Sequence, residues 1–228
     1  MAGRRTTPSS SRIRRTSTAR PTTSDIQKFE WVTLEQYKAE KRFLDHYPED
    51  FRTFWSPRDD VHSMLVSLLS STQHSLVLNM YGYDDEILDG IIRKKILTEH
   101  VYVQMSLDKT QAGGRAESGL LKKWRNDARG ASIAIGTSSV GHAISHLKIC
   151  IVDGIYTIKG STNWSLSGES KQDNELTLSR NAVIAAEARA VLDLNHDWML
   201  KEMAEARLAA RPASPRRTAR TAPAAVTR

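Results

Sequence analysis

His146 and Lys148 stand two residues apart at the head of an apolar run, Ile149-Cys150-Ile151-Val152. The same stretch continues through Asp153-Gly154 to a polar turn, Gly160-Ser161-Thr162-Asn163. Alternate side chains of a strand share a face, so His146 and Lys148 point one way and Leu147, Ile149 and Ile151 the other. An ammonium beside an imidazole is a poor core neighbour, but the pair makes sense with an anion between them. Asp153-Gly154 is a hairpin turn signal. The returning strand therefore brings Ser161 and Asn163 back toward the His146 end. Imidazole, ammonium, hydroxyl and amide then converge on one point, which describes a phosphate site. Taken singly, each residue has an ordinary reading: a strand-end histidine, a solvated lysine, a turn.

The joint spacing is more specific than its parts. His146-x-Lys148, four residues to Asp153, six to Gly160-Ser161 and one more to Asn163 place six fixed positions within eighteen residues. This HxKx4Dx6GSxN pattern resembles the signature of the phospholipase D superfamily. Downstream, "QDNE" (172–175) resembles the family's acidic element, with Glu175 as its carboxylate. The likeness spans roughly residues 50–200 and is strongest to the small single-motif branch of bacterial endonuclease-like members.

The resemblance implies a mechanism. His146 attacks phosphorus and forms a phosphohistidine, while a second histidine protonates the leaving oxygen and later activates water. Lys148 and Asn163 hold the non-bridging oxygens, Ser161 adds a hydrogen bond, and Glu175 orients a histidine ring. Asp153 belongs to the motif but fits a structural turn as well as a catalytic role. No cofactor and no metal are implied, because Lys148 and paired imidazoles supply the positive charge. One motif per chain supplies one histidine, so a homodimer with a shared site is expected. Three further residues are candidate substrate contacts: Trp164, which follows the motif and fits a core aromatic or a base-stacking one, and Lys109 and Gln111, in a Gly-rich connection (107–114). His142, four residues before His146, reads as a loop residue at the site mouth.

The elements that must position these residues are readable from periodicity. Strands are expected at 50–56, 74–83, 101–107, 131–135, 146–152, 155–160 and 175–179, and helices at 56–71, 84–97, 116–128 and 181–205. Val61, Met64, Leu65, Leu68 and Leu69 carry the clearest helical stripe. Strands alternating with helices, followed by a hairpin, predict an α/β fold. It is a mixed β-sheet sandwiched by helices, the phospholipase D-like fold, over residues 50–205. Residues 25–49 read as a helical N-terminal extension.

Composition bounds the partners. The 228 residues carry a net charge of +7, yet residues 1–24 and 206–228 hold six arginines each and no acid. The remaining 21 basic residues face 26 acidic ones, a net of −5 for the body. Both arginine-rich segments have almost no large apolar side chains and are expected to be disordered basic tails. Arginine-rich tails favour polyanions through counterion release, which suits nucleic acid as substrate. The single cysteine, Cys150, suits a reducing compartment and excludes a multi-cysteine zinc site. No apolar run is long enough to span a bilayer and no signal peptide is read, so a soluble cytoplasmic protein without stable membrane insertion is expected. The expected activity is a metal-independent endonuclease acting on DNA or RNA. A phospholipase D-type lipid hydrolase and a nucleic-acid-binding protein with a retired site are the alternatives.

Overall fold

The structure is a computed structural model and describes residues 31–114, 119, 122, 124, 131–140 and 143–210. Seven strands form one mixed sheet: β1 (Phe51–Ser56), β2 (Ser75–Met80), β3 (Tyr102–Asp108), β4 (Ala131–Gly136), β5 (Lys148–Val152), β6 (Tyr156–Gly160) and β7 (Asn174–Arg180). Their order is β1-β7-β6-β5-β2-β3-β4. β2, β3 and β4 run parallel, and the other four join by antiparallel pairing. The fold is the expected α/β architecture.

Helices α1 (Val61–Ser71) and α2 (Glu86–Glu99) cover one face. Val61, Met64, Leu65, Leu68 and Leu69 of α1 are all buried, the stripe expected from a 3.6-residue period. They pack with Leu88, Ile92 and Ile96 of α2 over Leu76, Leu78, Cys150, Val152, Ile158, Leu176 and Leu178 of the sheet. Two short helices, α3 (Lys109–Ala112) and α4 (Leu166–Ser170), precede the long C-terminal helix α5 (Ala182–Ala209). Helix α5 lies on the opposite face, where Ala185 and Leu192 meet Val77 and Ile151.

Several boundaries differ from the sequence reading. Residues 31–37 form a 3-10 helix, Trp31–Tyr37, followed by turns, so the extension is not one α-helix. Helix α1 starts at Val61 and not near Ser56: Asp60 is its cap, accepting from the Ser63 amide. Strand β2 ends at Met80, and β5 begins at Lys148, so His146 lies in the connection before the strand. Helix α5 runs to Ala209, past the expected boundary at 205, because Ala206, Leu208 and Ala209 continue a strong helix-forming composition. The expected helix 116–128 falls largely outside the described residues, although Gly119, Lys122 and Trp124 are helical. The tail segments 1–24 and 211–228, and His142, also lie outside them.

Candidate active site

The loop before β5 is pinned from two strands. Asp108, fully buried at the end of β3, accepts the Ser145 amide at 2.6 Å, and the Ser145 hydroxyl donates to Asn79 Oδ1 at 3.3 Å. The Tyr81 amide donates to the Leu147 carbonyl at 2.9 Å. Between these anchors the His146 side chain is held out to solvent. Its ring sits 4.6 Å from that of Tyr81, tilted by 59°. The Lys148 Nζ lies 4.8 Å from the same Tyr81 ring and donates to the His146 carbonyl at 3.0 Å. Lys148 is only 5% exposed, and burial lowers its pKa from the ordinary lysine value.

Imidazole and ammonium are therefore neighbours, as the spacing required, but strand alternation is not what brings them together. His146 precedes the strand, and Tyr81 is the surface both touch. Tyr81 carried no signal in the sequence: it follows an apolar strand and belongs to no motif. Its hydroxyl accepts from Gln111 Nε2 at 3.0 Å, which ties the connection after β3 to the site.

His146 and Lys148 share a pocket of about 340 Å³ with Lys159, Gly160, Glu175 and Thr177. Glu175 reaches it from β7, and the Thr177 hydroxyl donates to its Oε1. Among the described residues Glu175 makes no hydrogen bond to His146. Gly160 is required here by contact: a Cβ would lie 2.1 Å from the Glu175 carbonyl oxygen. The Ser161 amide donates to that same carbonyl at 2.9 Å. The Ser161 hydroxyl accepts from the Glu175 amide and donates to Asn174 Oδ1, each at 3.0 Å. Ser161 thus stitches β6 to β7 and fixes the backbone at Glu175. Asn163 Oδ1 accepts the Gly82 amide at 3.2 Å, which leaves its Nδ2 to donate. Gly82 admits no side chain without disturbing it, since a Cβ would fall 3.0 Å from Asn163 Cγ.

Three of the expected residues are located elsewhere. Asp153 sits at the far end of β5 from His146, where its carboxylate accepts the amides of Gln73, His74 and Ser75 at 3.0, 2.7 and 2.9 Å. That geometry is a clamp on the α1–β2 connection and not a contact to the pocket. Trp164 is fully enclosed beside Tyr83, so no face of its indole is open to a base. Lys109 pairs with Glu202 of α5 at 3.8 Å, away from the pocket that holds His146.

Linear spacing offers no metal-ligand cluster, but the fold assembles one from three elements. Among the described residues, His62, Asp85 and Glu169 bring one ligand atom each within 4.8 Å of one another. His62 Nδ1 is 2.6 Å from Glu169 Oε2 and 3.2 Å from Asp85 Oδ2. Burial pushes the Glu169 carboxyl up to about 7, against the opposing His62 hydrogen bond. His62 and Glu169 line a different pocket, of about 260 Å³, so the cluster is not part of the His146 site.

Residues 65–198 match the family described as "Cardiolipin synthase, PLD-like domain". No curated protein sequence matches the chain. Among solved structures it is similar to Nuc from Salmonella typhimurium, a phospholipase D family member. The identity is 20% and the TM-score 0.57, over 64% of this chain and 93% of that one. It is similar also to NucT from Helicobacter pylori, with 19% identity and TM-score 0.55 over 66% and 95%. A third likeness is to phosphatidylserine synthase from Haemophilus influenzae, with 12% identity and TM-score 0.50 over 64% and 38%. The family match covers more than half of the chain, and the sheet that carries it places an imidazole, a buried ammonium and a carboxylate around one pocket; the chain belongs to the PLD-like domain family.

Proposed function

We propose that the chain is a metal-independent endonuclease that hydrolyses DNA or RNA at a site shared by two copies. The observation that carries this reading is the exposed His146 imidazole beside a buried ammonium, facing a pocket that Glu175 also lines. In the first step the imidazole nitrogen attacks phosphorus. The N–P bond forms as the bond to the leaving oxygen breaks, and a second imidazole delivers its proton to that oxygen. In the second step that imidazole takes a proton from water, whose oxygen displaces His146 and regenerates the enzyme. Lys148 and Asn163 Nδ2 donate to the non-bridging oxygens as charge builds on them. Among the described residues, the pocket holds no histidine besides His146. The acid is therefore assigned to His146 of a second copy, across a two-fold axis. Nucleic acid is favoured as substrate by the arginine-rich segments 1–24 and 206–228 and by the exposed Lys159 at the pocket rim.

The test is an assay of purified protein on plasmid, RNA and phospholipid vesicles in excess EDTA. Nucleic acid should be cut, and His146→Ala should abolish cutting without loss of the folded far-ultraviolet spectrum. Cleavage only after Mg²⁺ or Mn²⁺ is added would overturn the metal-independent mechanism. Hydrolysis of vesicles alone would overturn the choice of substrate.

A further inference from the structure

We infer that Trp55 is the stacking platform of a nucleobase subsite, beside the phosphate pocket, that takes a splayed-out base of a single strand next to the scissile phosphodiester. The inference rests on the endonuclease reading. Strand β1 is the sheet edge, and its alternation sends Phe54 into the core and Trp55 outward. Trp55 is 52% exposed, an unusual amount of open indole surface. It is the register partner of Glu175 on the neighbouring strand, so the two side chains stand side by side on one face of the sheet.

The space around it is a pocket of about 560 Å³, lined by Trp55, Arg58, Ser161, Asp173, Asn174 and Glu175 among others. Glu175 also lines the pocket of His146 and Lys148, so the two cavities share a wall. The chemistry of the walls selects the occupant. An indole face suits any base, because every base has a π-face, and Asp173 and Arg58 offer an acceptor and donors to its polar edge. The same charged groups disfavour an acyl chain, which would strip them of water without pairing them.

The backbone that carries the platform is held in place. The Trp55 amide donates to Asp59 Oδ2 at 2.8 Å, and the Asp59 amide donates to the Trp55 carbonyl at 2.7 Å. Asp59 is itself buried and paired with Lys38 at 2.5 Å. With the backbone held, only the two side-chain torsions of the indole remain to be ordered when a base settles on it, a small cost for a stacking site. A duplex keeps its bases paired inside, so the subsite should favour single strands.

The experiment compares wild type, Trp55→Ala and Trp55→Phe on a single-stranded oligonucleotide and on its abasic counterpart. Wild type should prefer the intact strand. Trp55→Ala should raise KM on it by roughly 5- to 150-fold, the range for losing one stacked base, with little change on the abasic strand. Phe should recover part of the loss. Oligodeoxythymidylate should quench tryptophan fluorescence in the His146→Ala background, and Trp55→Phe should remove that quench. Equal kinetics on intact and abasic strands in wild type, or an equal loss on both in Trp55→Ala, would overturn the subsite alone. So would a fall in oligomeric mass on Trp55→Ala, which would make the indole a subunit contact. A wild type that hydrolyses a small phosphodiester but neither cuts nor binds oligonucleotide would overturn the endonuclease reading itself.

Discussion

Asp153 belongs to the sequence motif, yet its structural surroundings assign it to folding and not to turnover. Its carboxylate takes three amides, from Gln73, His74 and Ser75, at the end of β5 remote from His146. Replacement by Ala removes all three acceptor contacts. The His74 amide meets an exposed environment and regains water, so the main loss comes from the two half-buried amides. A net hydrogen bond to a charged group contributes roughly 1–2 kcal/mol in such surroundings. Asp153 also has φ +52°, a left-handed conformation that Asp and Asn tolerate and Ala resists by about 1 kcal/mol. Asp153→Ala should therefore destabilise by about 3–5 kcal/mol. Asp153→Asn keeps one acceptor oxygen and the backbone preference, and should cost about 1 kcal/mol.

For a domain of this size each kcal/mol moves the melting midpoint by about 2–4 °C. The expected shifts are thus about 6–20 °C for Ala and about 2–4 °C for Asn, read by thermal unfolding. Turnover per folded molecule, measured well below either midpoint, should stay within about twofold of wild type for Asn. Lys148→Met in the same assay should lose about 100- to 1,000-fold, the loss typical of removing one donor to a developing oxyanion. An Asp153→Asn protein with an unchanged midpoint and a hundredfold loss of turnover would refute the structural assignment.

Wild type and His146→Ala co-refolded in equal amounts should retain about a quarter of the wild-type activity per total protein, the fraction of random dimers with both histidines. Retention of half would instead place the acid within the chain, where His142 is the nearest candidate in sequence. In the proposed mechanism Lys148 acts protonated, and burial lowers its pKa, so kcat should fall with rising pH at a value below the ordinary 10.5; Lys148→Arg should move that limb out of range, and an unmoved limb would reassign it. Removing residues 1–24 and 211–228, which spares α5, should leave hydrolysis of a small phosphodiester unchanged. It should also flatten the dependence of nucleic-acid affinity on salt, and equal slopes would dismiss the arginine segments as contacts.

The legible part of this site is the part carried by one hairpin. His146, Lys148, Gly160, Ser161, Asn163 and Glu175 fall within thirty residues, and turn chemistry with strand pairing predicts that they return to one end of the sheet. What spacing could not reveal comes from other elements. Asp108, Asn79 and Tyr81 lie at strand ends far away in sequence, and only the sheet order brings them against the residues before β5. Trp164 fitted a base contact or the core, and its packing beside Tyr83 decides for the core. Trp55 shows the reverse. Alternation along Phe54-Trp55 states that one aromatic is buried, but which one depends on where α1 lies. The His62, Asp85 and Glu169 cluster is invisible for the same reason, with one residue from each of three elements.

The sheet order also explains why the chemistry gathers where it does. Strands β2 and β3 end their parallel run at Met80 and Asp108, and β5 enters antiparallel beside β2, with Lys148 registered against Met80. The carboxyl ends of two parallel strands thus meet the start of a third strand running the other way. Backbone leaving β2 is free to turn outward at Tyr81-Gly82, and the chain entering β5 must cross the same gap. Crevices of this kind, outside the carboxyl ends of strands where the direction of the sheet changes, are where open α/β sheets bind ligands. Here the β5–β6–β7 meander lines the crevice with Lys148, Lys159 and Glu175, while Tyr81, just after β2, packs against Lys148, and the buried Asp108 at the end of β3 anchors the loop that carries His146. Each strand brings a different chemical group because each reaches the gap at a different point of its own sequence. On the proposed mechanism a single such crevice contributes one nucleophile and its charge partners, and an in-line displacement also needs an acid on the opposite side of phosphorus. In the proposed shared site, the crevice of a second copy facing the first supplies that acid.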